Sequence, residues 1–85
     1  MPDPTSPLFG LYRGRVISAG DPQGQRRLQV EVSSVLGTNA LWALPCVPPG
    51  SRKQPATGAT VWVMFENGDP SSPVWLGTLP EIRSG

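Results

Sequence analysis

Between Leu11 and Ser33 the order of apolar and polar residues is that of a long β-hairpin. In the second arm Leu28, Val30 and Val32 alternate with Arg27, Gln29 and Glu31, the period-two signature of a half-buried strand. The first arm, LYRGRVIS, is rich in β-formers and carries Gly14 in its middle, where glycine usually marks a bend or bulge. Asp21-Pro22-Gln23-Gly24 joins the arms. Asp first, Pro second and Gly fourth suit a type I turn, with Gly24 free to take φ > 0 as a bulge. A three-residue loop of this kind pairs Asp21 with Gln25. It sets Val16 opposite Val30, Gly14 opposite Val32 and Arg15 opposite Glu31. A two- or four-residue loop would set Arg15 against Val30, so turn chemistry and side-chain pattern select the same register.

Three more strands are predicted downstream. After a turn-rich connector, Val35 to Asn39, the run Ala40–Val47 places Trp42, Leu44 and Cys46 on one face and Leu41, Ala43 and Pro45 on the other. Both faces are apolar, so covering on both sides is expected, and Pro45 points to an edge or the end of pairing. Thr60–Glu66 puts Val61, Val63 and Phe65 opposite Trp62, Met64 and Glu66. Asn67-Gly68 is a strong hairpin signal, lengthened by DPSSP. Val74–Thr78 closes the series. Residues 48–59, PPGSRKQPATGA, read as a long Pro/Gly loop with Arg52 and Lys53 at its tip. Five short strands separated by turns suggest an all-β fold, a small five-stranded Greek-key OB barrel that removes sheet edges. The 48–59 loop takes the place of the helix that fold often carries. The expected division is an extended N-terminal arm at 1–10, the barrel at 11–79 and an extended tail at 80–85. Leu8 and Phe9 would tuck the arm against the body or a neighbour, or the arm is a loose tail.

Composition narrows the chemistry. Eighty-five residues with 11 Pro and 10 Gly leave no room for long helices and only a small core. Seven basic and six acidic residues predict neither a polyanion binder nor an acidic surface. No signal peptide or membrane span is visible, which fits synthesis in the cytoplasm. Cys46 sits in the apolar run LWALPCV and reads as a buried thiol. With no histidine, neither a Ser-His-Asp nor a Cys-His arrangement exists, and histidine metal sites are excluded. Glu66 and Asp69 are better read as turn residues in water than as an acid–base pair. Glycines form no phosphate loop. No cofactor or metal is expected, and no enzymatic activity.

The apolar residues exceed what one narrow interior holds. Inner positions go to Val16, Leu28, Val30, Val32, Val61, Val63, Phe65, Val74 and Leu76. Trp42, Trp62, Trp75, Met64 and Leu44 are left without an assigned place. Clustered exposed aromatics mark a protein interface; for any one indole, capping an open barrel end is the competing placement. The expected interface residues are Trp42, Trp62, Met64, Trp75, Arg52, Lys53, Leu8 and Phe9. An oligonucleotide reader would stack bases on such aromatics beside Arg13, Arg15, Arg26 and Arg27, but near-neutral charge argues against nucleic acid.

Several runs together resemble the N-terminal OB domain of phage baseplate hub and spike proteins. That family includes the tail-associated lysozymes of contractile phages and the spikes of type VI secretion systems. The matching residues are Arg13-Gly14-Arg15-Val16, Asp21-Pro22 with Arg27-Leu28-Gln29-Val30, Ala43-Leu44-Pro45, Gly58-Ala59-Thr60-Val61-Trp62-Val63 with Phe65, and Gly68-Asp69-Pro70 leading to Pro73-Val74-Trp75-Leu76-Gly77. Each is weak alone; their order and spacing are specific. The resemblance implies a structural virion or injection-system protein, a homotrimer joining the central hub to a separate cell-puncturing spike, with no membrane in the assembled state. Family members usually continue into a lysozyme domain or a β-helical needle, and this sequence carries neither, which leads to the expectation of a free-standing barrel. A single-stranded nucleic-acid binder and a docking module for a separate cell-wall hydrolase remain the alternatives.

Overall fold

Strands β1 (Tyr12–Ser18), β2 (Leu28–Glu31), β3 (Ala40–Pro45), β4 (Thr60–Phe65) and β5 (Pro73–Thr78) close into a barrel in the order β1-β2-β3-β5-β4. The computed structural model describes residues 7–48, 50 and 54–79. All seams are antiparallel except the parallel β3–β5 seam. This is the five-stranded OB arrangement, and no helix stands between β3 and β4 among the described residues. A single helical turn, α1 (Ser33–Leu36), carries the chain from β2 towards β3 where the sequence shows a turn-rich connector.

The hairpin register is the one that turn and pattern select. Arg15 faces Glu31 and Val16 faces Val30; Val16 is buried and Arg15 exposed. The arms, however, part before the turn. The pairing shifts by one residue between Val16 and Ser18, so the bulge falls at Ile17 and not at Gly14. Residues 19–27 then leave the ladder. Gly14 serves space instead: a Cβ there would meet Val63 Cγ2 at 2.7 Å.

The interior is formed by Val16, Leu28, Val30, Val32, Ala43, Val61, Val63, Phe65 and Trp75, with Leu8 at one end. Tyr12 meets Phe65 edge to face, ring centroids 5.5 Å apart. Strand β5 is turned over relative to the sequence reading. The Glu66 N–H donates to the Ser72 carbonyl at 2.9 Å and closes the loop, so Phe65 pairs with Pro73 and Val63 with Trp75. Paired residues share a face. Inward Phe65 and Val63 therefore bring Pro73 and Trp75 inside and leave Val74 and Leu76 half-buried on the outside.

Cys46 also departs from its expected place. It lies one residue beyond β3 and is exposed, although its N–H donates to the Trp75 carbonyl at 2.8 Å. The face it was expected to share with Trp42 and Leu44 is the outside of the barrel, where Leu44 is exposed and Trp42 half-buried. Apolar residues on both sides of β3 predict cover on both; among the described residues the core covers the Ala43 side, and the other side is half-buried at Trp42 and exposed at Leu44.

Candidate interaction surface

The outer surface divides by strand. On β1 and β2 the outward residues are Arg13, Arg15, Gln29 and Glu31. On β3, β5 and β4 the outward apolar residues are Trp42, Leu44, Val74, Leu76, Trp62 and Met64, with Thr60 facing Arg15 at the start of β4. Register aligns three of the latter in one row: Leu44 faces Val74 across the β3–β5 seam, and Val74 faces Met64 across β4–β5. Leu44 is 43% and Met64 41% exposed. The β1–β4 register, Tyr12 to Val63, carried back one residue sets Leu11 opposite Met64, and Leu11 is 56% exposed. The result is an apolar band crossing from β3 to the start of β1. Lone exposed apolar residues are ordinary, whereas a contiguous band is not.

Two tryptophans flank the band, each under an arginine. The Arg13 guanidinium lies 5.5 Å from the Trp62 ring centroid, and Arg27 lies 5.0 Å from that of Trp42. Both indoles are half-buried; a cation on the ring face covers them without removing them from the surface.

Arg27 in turn is set by Asp21. The Asp21 carboxylate accepts from the Gln23 N–H at 2.9 Å, the Gln25 N–H at 2.9 Å and the Arg27 N–H at 3.2 Å. The Arg27 side chain adds two further bonds, Nε at 3.1 Å and Nη2 at 2.9 Å. The Arg27 fork, followed by these amides, holds the Asp21 carboxyl well below the usual carboxylate range. The 21–24 turn forms as expected, with the Gly24 N–H donating to the Asp21 carbonyl at 3.0 Å. Asp21 does not pair with Gln25 through the ladder; its side chain gathers the loop instead. At the base of that loop the Trp75 indole N–H donates to the Arg26 carbonyl at 3.2 Å.

The expected interface residues thus fall in different places. Trp42, Trp62 and Met64 lie on the outside together. Trp75 is 3% exposed and belongs to the core, so it offers no surface to a partner. Leu8 is buried, its N–H donating to the Gly68 carbonyl at 2.8 Å. Phe9 is 72% exposed and lies over Gly68. Arg52 and Lys53 lie outside the described residues. Leu11 and Val74 are members of the band that sequence reasoning passed over; loop closure at Glu66 and Ser72 decides the β5 phase, and no local pattern records it. Glu66 and Asp69 are both exposed, in the turn that follows β4. Asp69 accepts from the Ser71 N–H at 2.9 Å and its hydroxyl at 2.7 Å, which lowers its pKa and fixes the turn.

The fold is a closed five-stranded OB barrel with apolar side chains outward on three strands. Residues 12–79 match the model of the type VI secretion system/phage-baseplate injector OB domain, and the chain belongs to that family. No curated protein matches it. The family is one of structural baseplate domains and not of enzymes, so the barrel has a structural role in association with baseplate components.

Proposed function

We propose that the protein is the adaptor of an injection baseplate, a homotrimer that joins the central hub to a separate cell-puncturing spike. The carrying observation is the Leu44–Val74–Met64 row with Leu11 beside it. Water contact on such a row is unfavourable by roughly 25 cal/mol per Å² of apolar surface, and covering by neighbouring barrels and hub removes it. The barrel breaks no bond; it transmits force and fixes the rotational register between ring and spike. A closed sheet suits that task because no edge is left to slip or pair wrongly.

Sedimentation equilibrium of the chain over a wide concentration range, alone and with the hub protein, tests this. A species of three chains is expected in at least one condition. Leu44→Glu and Met64→Glu together should return it to one chain while the barrel's circular dichroism is kept. A single chain at every concentration, with and without hub, would overturn the reading.

A further inference from the structure

A second surface lies beside the band, past the Arg13–Trp62 stack. A recess of about 340 Å³ opens over β1 and β2, lined by Arg13, Arg15, Glu31, Ser33, Thr60 and Leu79. Its make-up follows from the register. Arg13 and Arg15 are two residues apart on β1, so both point outward. Arg15 stands between Glu31 on β2 and Thr60 on β4. Arg13 stands opposite Trp62, whose ring holds the guanidinium plane. Gly14 between them faces the interior. Among the described residues the Asp21–Arg27 contact is the ion pair, so neither Arg13 nor Arg15 is engaged with a carboxylate there. Two guanidinium forks and two hydroxyls in one recess form a donor set for planar anions, which arginine binds bidentately.

We propose that this recess binds an acidic segment of a partner protein, its Asp or Glu carboxylates received by Arg13 and Arg15 with Ser33 and Thr60 as further donors. A nucleic-acid strand fits less well. Its bases need an open aromatic face, and Trp62 already carries Arg13. Its phosphates recur along the strand, and Glu31 stands among the donors. A short acidic peptide can set its carboxylates on the forks and an N–H on Glu31. The recess and the apolar band share no residue, so each can fail alone.

The full chain is titrated with a hexaglutamate peptide, followed by ¹⁵N–¹H shifts that include the arginine Nε–H signals. Saturable shifts confined to residues 13–15, 31–33, 60 and 79 are expected, weakening as salt rises. Arg13→Glu with Arg15→Glu should weaken binding by about tenfold or more, and hexalysine should leave the wild type unshifted. Should charge reversal disturb folding, Arg15→Gln tests the same point with a smaller expected loss. Absence of saturable shifts at millimolar peptide, shifts centred elsewhere, or tighter binding of hexathymidylate at these same residues would overturn the proposal.

Discussion

Gly68 shows how much one residue carries. Its φ is +72°, and a Cβ would approach Phe9 Cε1 at 2.7 Å and Pro7 Cβ at 2.8 Å. Gly68→Ala therefore meets both a left-handed backbone and a closed space. It should lower stability by roughly 1–3 kcal/mol, read from the urea midpoint. Trp75 is the opposite case, a large side chain that fills the interior and donates to the Arg26 carbonyl. Trp75→Phe should cost about 1–2 kcal/mol, chiefly the lost donor. Trp75→Ala should cost roughly 3–5 kcal/mol, enough to unfold much of so small a domain. Asp21 sets the acid response. Its folded pKa lies below the unfolded one, so its contribution is complete above the ordinary carboxylate value of about 4 and is lost as pH falls from there towards the lowered folded value. Thermal melts between neutral pH and pH 2 should show wild type and Asp21→Asn converging as the pH drops. Curves that stay parallel would remove Asp21 from the acid limb. Alternation in LQVE already shows which of these side chains enter the core on β2. The five bonds converging on Asp21 are not readable there, since Asp-Pro-x-Gly calls for a turn whether or not the carboxylate is used.

Among the elements, the β3–β5 seam is the weakest part of the wall. Two residue pairs hold it, against five between β4 and β5. Pro45 in that seam has no N–H to donate. Local opening should begin there. Hydrogen exchange should find the Cys46 amide, which donates to Trp75, at least about tenfold less protected than the β4–β5 amides around Val63. Equal protection would mean that the barrel opens only as a whole. The Leu44–Val74 contact lies across this seam, so a partner on the apolar band would also brace it and slow Cys46 exchange. The strands were legible as short β-rich runs, four of them bounded by Gly, Pro or Asn and β2 marked by its alternation. The phase of β5 was not. VWLGT can bury Val74 and Leu76 or Trp75 with equal local sense, and the choice is made by the Glu66–Ser72 closure.

At the scale of the molecule the barrel is two-sided, basic and polar over β1–β2 and apolar over β3–β5–β4. Interior and exterior should answer differently to substitution. Leu28→Ala, at a fully buried position, should cost roughly 2–5 kcal/mol. Leu44→Glu and Met64→Glu should each change unfolding of the isolated chain by no more than about 0.5 kcal/mol and act on association instead, as chemical denaturation beside sedimentation can show. The strand count, the hairpin register, the inward set on β1, β2 and β4, and the resemblance to baseplate barrels were all determined by the sequence alone. They rest on local rules: side-chain alternation, turn residues and their spacing. Tertiary structure alone decided that Trp75 goes inside, that Cys46 stays out, and that Leu44, Val74 and Met64 form one row. Those outcomes depend on how distant strands align when the barrel closes. A one-residue change of alignment exchanges inside for outside along a whole strand, and no short stretch of sequence contains that information.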